Sequence, residues 1–328
     1  MTITQNLDIN DYRENIQRST IIPHCQIISP KDKTLPFGFF IPMDKASACE
    51  FTLDDATWEL HEQTFGESEV QGCITKRSQE NKTFLSSWIR LVIVRSTPML
   101  AFQPNEMGRA IAVGEYYARD GGLTAAGRDV ESNKGQPGYF RASKYLLYFL
   151  DGGNRPLHSS PLQFKARGGV GGSFGSELRM FYQEFDRAFM DGALGQNNRL
   201  DAQTHALSIF AFRLGVRQGT LTTGSKGAWY CHVAERLTPT CNPEVIGQST
   251  VVSRKGGGEI KLVGVDWKDL FVSKKSEVGV NIQSDFIEYE SFGKLTTEQQ
   301  SVAPADNLQT QPAMGFESDA ELGEDFPY

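Results

Sequence analysis

Apolar and polar positions alternate with a period of two through most of this chain and with a period of three to four in only one long segment. Strand-like runs occupy Ile21 to Ile28, Phe37 to Ile41, Trp58 to Phe65 and Trp88 to Val94, and turn formers such as Pro30, Pro36 and Gly66 punctuate them. That rhythm predicts antiparallel β-structure. The clearest pair lies between residues 143 and 167, around the loop DGGNRPLHSS. In its first strand Tyr145, Leu147 and Phe149 alternate with Lys144, Leu146, Tyr148 and Leu150, so both faces are largely apolar. In its second, Leu162, Phe164 and Ala166 share one face while Gln163, Lys165 and Arg167 share the other, which is therefore wet and positive.

Helical spacing appears from Ser173 to Met190, where Leu178, Phe181, Phe185 and Phe189 recur three and four residues apart. Asp191 and Gly192 supply the stop. Further strand-like runs follow at Ala206 to Leu214, Ala228 to Val233, Val245 to Val252 and Glu259 to Val265. The expected fold is α+β or mainly β: an antiparallel sheet with one main amphipathic helix at about 173–190. An OB-like barrel is one way for such strands to close.

Composition divides the 328 residues into three parts. Residues 1–18 are polar and predict a flexible arm, and 19–292 predict a globular body. Residues 293–328 hold a linker, KLTTEQQSVAPADNLQTQPAMG, and an acidic tip, FESDAELGEDFPY, whose composition predicts disorder. Charge follows the same division. Lys plus Arg against Asp plus Glu number 5 and 12 over residues 1–70, 24 and 15 over 71–261, and 4 and 13 over 262–328. The overall charge of −7 thus conceals a basic middle with a net of +9, a distribution that suits a polyanionic partner.

The polar opening MTITQNLDINDYRENIQ has no apolar core of a signal peptide, and no run reaches the length of a membrane helix. A cytoplasmic location without membrane association is the expectation. Five scattered cysteines (Cys25, Cys49, Cys73, Cys231 and Cys241) are an odd number that argues against a disulfide framework. Adjacent Cys231 and His232 would point to opposite faces of a strand, so thiols are expected and a zinc site is not. No HExxH or GxSxG motif is present, and neither GGVGGSFG at 168–175 nor TGSKG at 223–227 fits a nucleotide-binding loop. No catalytic residue, metal or cofactor is therefore assigned, and His158 beside Ser159 reads as a loop histidine. The glycine run before the helix is left as a phosphate contact or a plain turn.

Binding of a single strand needs Lys or Arg along a groove for phosphates and aromatic planes for unstacked bases. The basic candidates are Arg90, Arg95, Arg109, Arg119, Arg128, Arg141, Lys144, Lys165 and Arg167. Trp88, Tyr116, Tyr117, Tyr139, Phe140 and Tyr148 interleave with them. Five glycines between Arg119 and Arg141 predict a long mobile loop carrying four basic residues.

Two resemblances add to this reading. The ending GEDFPY, with its Gln- and Pro-containing linker, resembles the C-terminal tip of bacterial single-stranded DNA-binding proteins. Tyr328 stands where that family usually has Phe. The resemblance implies that Glu324, Asp325, Phe326, Pro327 and Tyr328 recruit DNA-processing proteins, with the terminal aromatic in a pocket and the acids against basic residues around it. The body resembles an uncharacterised family of cyanobacterial proteins, through SSWIRLVIVRSTPMLAF, YLLYFLDGGNRPLHSSPLQFKARGG and the Phe-rich helix. That likeness implies one folded unit and no chemistry. The expectation is a non-enzymatic protein that binds single-stranded DNA, with RNA as a further ligand and a homo-oligomer allowed. An adaptor or structural subunit of a nucleoprotein complex and a metal-dependent nucleic-acid enzyme remain the alternatives.

Overall fold

Wherever every second residue is apolar the backbone extends, and the glycines and prolines between such runs turn it. The structure, a computed structural model, describes residues 22–29, 34–65, 68–80, 83–189, 200–219, 228–237, 250–253, 259–262 and 270–294. The first part of the chain gives β1 (His24–Ile28), β2 (Gly38–Pro42), the short helix α1 (Met43–Ala48), β3 (Trp58–Phe65) and β4 (Ser68–Thr75). It continues through β5 (Arg77–Glu80), β6 (Thr83–Ser86), β7 (Ile89–Ser96), β8 (Leu100–Pro104) and β9 (Ala110–Glu115). The second part gives α2 (Ala125–Ser132), β10 (Phe140–Leu150), β11 (Leu162–Arg167), the long helix α3 (Gly168–Phe189) and α4 (Ala202–His205). It ends with β12 (Phe210–Gly219), β13 (Ala228–Arg236), β14 (Thr250–Ser253), β15 (Glu259–Leu262) and α5 (Glu277–Glu288). The expected arm (1–18), the linker from residue 295 and the tip (residues 316–328) lie outside the described residues.

Thirteen strands form one mainly antiparallel sheet in the order β3-β4-β2-β1-β11-β10-β7-β12-β6-β5. Beside this path, β13 pairs with β12, and the hairpin β8–β9 joins β10 through β8. The pairing of β1 with β11 is parallel. The long strand β10 holds two partners along one edge, β8 at residues 140–142 and β7 at residues 145–150. The strands β14 and β15 pair separately.

This sheet curls around an aromatic core without closing into the OB-like barrel. Phe39 of β2 packs edge-on against Phe149, Phe164, Phe174 and Phe212, with ring centroids 5.1 to 6.4 Å apart. At the open seam, side-chain hydroxyls take the place of a backbone ladder: Ser29 Oγ accepts from the Cys231 N–H at 2.8 Å and Ser173 Oγ from the Val233 N–H at 2.9 Å. Helix α3 fills the seam with Phe174, Leu178, Phe181 and Phe185, all buried. Arg236 of β13 fixes it there by bonding Glu177 at 2.8 Å and Glu184 at 2.9 Å, a fork that raises the guanidinium pKa.

The helix begins at Gly168, directly after β11, and not at Ser173 as the apolar periodicity predicts. Gly168 has φ +62°, which turns the chain from strand into helix. A Cβ on Gly171 would lie 2.6 Å from the Ala166 carbonyl carbon, so glycine lets the first turn press against the strand it has just left. The run GGVGGSFG is thus part of the helix. The expected mobile loop from Arg119 to Arg141 is also corrected, because it contains α2. Thr124 caps that helix, its Oγ1 accepting from the Gly127 N–H at 3.0 Å, and Ala126 and Val130 are buried against Ala101, Val113 and Tyr116.

His158 shows how the β10–β11 loop is pinned. It is buried, and its Nε2 accepts the Phe149 N–H at 2.9 Å while Nδ1 donates to the Ser160 carbonyl at 2.6 Å. Those roles require the neutral imidazole, and burial pushes its pKa down to about 4. The neutral form is favoured in the folded state, so this contribution to stability is complete above pH ~6.5 and is lost as pH falls from there toward the folded value. Chemical denaturation followed from pH 7 downward is expected to show that loss. His158→Ala, which leaves the Phe149 N–H unsatisfied, should cost about 1–3 kcal/mol at neutral pH and remove this component of the acid dependence. An unchanged pH profile in the variant contradicts the assignment.

Candidate nucleic-acid interface

The two faces of β10 are used differently. Tyr145, Leu147 and Phe149 enter the aromatic core under α3. On the opposite face Leu146, Tyr148 and Leu150 are covered by α5, which brings Ile282 and Phe286 against them. The register places Phe140, Ala142 and Lys144 farther along that second face, beside Leu100 and Phe102 of β8 and Lys165 and Arg167 of β11. No helix packs over this stretch among the described residues.

At its centre Phe102 and Phe140 stack with centroids 4.8 Å apart and planes 9° from parallel. Three cations lie on the pair. Lys165 Nζ is 4.7 Å from the Phe102 centroid and 5.8 Å from that of Phe140, Lys144 Nζ is 5.6 Å from Phe102, and the Arg167 guanidinium is 5.1 Å from Phe140. Such contacts attract each cation to the ring face. Phe102 is buried beneath the side chains, whereas Phe140 is partly exposed.

Lys144 and Lys165 stand directly opposite each other across the β10–β11 ladder, and Arg167 lies opposite Ala142. Like charges in facing positions oppose sheet pairing. Among the described residues no carboxylate reaches ion-pair distance of any of the three cations. Burial lowers the pKa of both lysines, and for Lys165 the nearby Lys144 and Arg167 lower it further. His24 of β1 faces Gln163 of β11 and widens the patch. Its own pKa is lowered by burial first and then by Lys45, with Lys165 adding to the effect.

The other sequence candidates are placed elsewhere. Arg95 is committed to α5: its Nε donates to the Phe286 carbonyl at 2.8 Å and its guanidinium lies 3.6 Å from the Phe286 centroid. Arg90 donates to Asn154 Oδ1 at 3.1 Å. Trp88 is half-buried under the Arg213 guanidinium, 4.7 Å from its ring. Arg141 sits on the other face of β10, where it bonds the Tyr117 hydroxyl at 3.0 Å and lies 5.2 Å from the Tyr116 ring. Tyr148 is buried, with its hydroxyl donating to Asp285 at 2.8 Å. Arg109, Arg119 and Arg128 are exposed on the β8–β9 turn, the loop before α2 and α2 itself, and Arg128 also donates to the Leu123 carbonyl at 2.9 Å. Tyr139 is partly exposed, immediately before β10.

Sequence reasoning therefore located Lys144, Lys165, Arg167 and Phe140 but missed Phe102 and His24. Phe102 could have been found from the apolar run Met99 to Phe102, which precedes Pro104 and ends in a hairpin turn. His24 enters only through the parallel pairing of β1 with β11, which joins segments far apart in sequence. Glu324, Asp325, Phe326, Pro327 and Tyr328 lie outside the described residues.

The described residues hold no cluster of three or more His, Cys, Asp or Glu able to bind a metal. Cys25, Cys49, Cys73 and Cys231 are free and buried, with burial pushing the Cys49 thiol to about 11 and that of Cys231 to about 12. Cys241 lies outside the described residues. No helix among them is long and apolar enough to cross a membrane.

Compared with known proteins, residues 19–243 match the family described as "Domain of unknown function (DUF5895)", a span that includes the whole cation patch. No curated protein and no solved structure matches. The chain belongs to the DUF5895 family.

Proposed function

We propose that this protein binds single-stranded nucleic acid, DNA foremost, on the open face that carries Lys144, Lys165 and Arg167. The observation behind this reading is the unneutralised charge: two lysines held opposite each other and an arginine beside them, partly desolvated and with no carboxylate partner in reach among the described residues. A phosphate backbone supplies the missing anions and gains from counterion release. The partly exposed Phe140 offers ring surface on which an unstacked base can lie, and stacking of that kind tolerates any base. RNA presents the same phosphates and belongs to the same ligand class. Recruitment of DNA-processing proteins falls to the acidic tip, on the resemblance of GEDFPY to the tips of single-stranded DNA-binding proteins.

Mobility shifts with single-stranded DNA, duplex DNA and RNA at several salt concentrations test the reading. Single strands should bind best. Replacing Lys165 and Arg167 together by Ala should weaken binding to all single-strand sequences alike and make the slope of log affinity against log salt shallower by about 1.4, the loss of two phosphate contacts. An unchanged affinity and slope would remove this face from the site.

Proton linkage gives a second test. Lys144 and Lys165 lose their protons at lower pH than an ordinary lysine, whereas a bound phosphate favours the ammonium form. Binding should therefore take up protons, and affinity should fall as pH rises through the alkaline range below the ordinary lysine value of about 10.5. Titrations in two buffers of different ionisation enthalpy measure the uptake directly. Zero uptake at alkaline pH contradicts the role of the lysines.

For the tip, replacing Phe326 and Tyr328 by Ala keeps every acid and removes the apolar anchors. Partner capture from the native host should be lost while affinity for single strands is retained. Capture of the same proteins by the double variant argues against the anchors.

A further inference from the structure

At one end of the large sheet, β3 pairs with β4 and, among the described residues, with nothing on its other side. Its eight residues keep an unbroken register with β4 from Trp58↔Thr75 to Phe65↔Ser68. Natural sheets blunt such edges with charged side chains, lysine above all, with proline, with bulges or with a covering helix, because the free row of N–H and C=O groups pairs readily with another strand. Trp58–Phe65 has no lysine, proline or bulge; its charges are Glu59 and Glu62, which repel an acidic strand and leave the edge open to a basic one, and the strand emerges from the core after the buried Trp58. Two apolar side chains stand on it in water, Leu60 at 64% exposure and Phe65 at 40%.

Charge states what such a strand must carry. Between Lys45 and Lys76 the sequence has seven acids, Glu50, Asp54, Asp55, Glu59, Glu62, Glu67 and Glu69, and no lysine or arginine. Glu59 and Glu62 lie on β3 itself, and Leu60, Glu62 and Glu69 share one face of the β3–β4 ribbon. A second copy of β3 added antiparallel would double the acids on this edge, and in the register that sets Leu60 opposite His61 it would bring Glu59 against Glu62, which opposes pairing. An incoming strand with lysine or arginine opposite Glu59 and Glu62, three residues apart, meets a carboxylate on each face, and an apolar residue opposite Leu60 covers it.

We propose that β3 is a docking edge for an extended, basic segment of a partner protein, which adds to the sheet as a further strand. This surface is separate from the cation patch on β10 and β11 and does not depend on the nucleic-acid reading. It would let the protein hold an acidic ligand and a basic partner at two places at once.

Fluorescence anisotropy of the full-length chain with labelled octapeptides tests this. The peptide TKVKTVKT should bind, and its charge-reversed form TEVETVET should not. The peptide TKPKTPKT keeps the charges but cannot complete a ladder, and it should bind at least about tenfold more weakly. Equal binding of the valine and proline peptides would overturn strand addition. The double substitution Glu59→Lys/Glu62→Lys should abolish binding of the basic peptide and create binding of the acidic one, a gain that a misfolded variant could not show. Retention of the original preference would place the peptide elsewhere. Sedimentation should show no self-association dependent on these two glutamates; a wild-type dimer that the double substitution dissolves would assign the edge to a second copy and overturn the proposal. Lys165→Ala/Arg167→Ala should leave peptide binding unchanged, so failure of the nucleic-acid reading and failure of this one give different results.

Discussion

The contact on which the rest of this structure depends is the insertion of Phe174 into the curl of the sheet. Its ring meets those of Phe39, Tyr145, Phe164, Phe210 and Phe212, drawn from β2, β10, β11 and β12, at centroid distances of 5.1 to 6.4 Å. Each such pair contributes about 0.5–1.5 kcal/mol beyond the apolar area it buries. One side chain thus ties four strands to one helix. The sheet must curve to surround it, and α3 must start at the very end of β11 to reach it. Glycine at position 171 permits that start, and glycine at 38 permits the matching approach on the other side. A Cβ there would fall 2.1 Å from Thr75 Oγ1, the atom that accepts the Phe39 N–H at 3.1 Å.

The open cation face follows from this arrangement. Once α3 buries one side of β10 and β11, the alternation of the strands forces Lys144, Lys165 and Arg167 onto the other. Helix α5 covers only the half of that side where β10 carries Leu146, Tyr148 and Leu150. On the other half Lys144, Lys165 and Arg167 lie over the buried Phe102 and Ala142.

The period-two alternation made most of the strands legible, along with the mainly antiparallel sheet and the wet, positive side of β11. It could not reveal α2, where Ala125, Ala126 and Gly127 give no apolar stripe and the helix rests on a threonine cap. Nor could it separate the roles of the arginines. Arg95 and Lys165 look equivalent in sequence, each within an apolar strand, yet Arg95 has its Phe286 carbonyl 191 residues away and Lys165 faces another lysine. The apolar periodicity also concealed the start of α3, since glycines carry no side chain to register in it. Where the barrel stays open, the hydroxyls of Ser29 and Ser173 accept from N–H groups of β13, and such contacts leave no pattern in the sequence.

Comparing the fates of the basic residues separates scaffold from surface. Arg236 is held between two glutamates, Arg141 among tyrosine hydroxyls and Arg95 on a carbonyl and a ring; each is satisfied inside the fold. Lys144 and Lys165 instead rest on an aromatic pair, lose hydration and repel each other, an arrangement that costs stability in the free protein. Natural sequences tend to keep such local conflicts where binding relieves them, because an interaction made only with the ligand adds to affinity what its absence subtracts from the free state. The acidic edge at β3 has the opposite sign and a different geometry, a backbone ladder in place of a charged plane. Under the two proposals the surfaces take partners of opposite charge at separate places on one sheet.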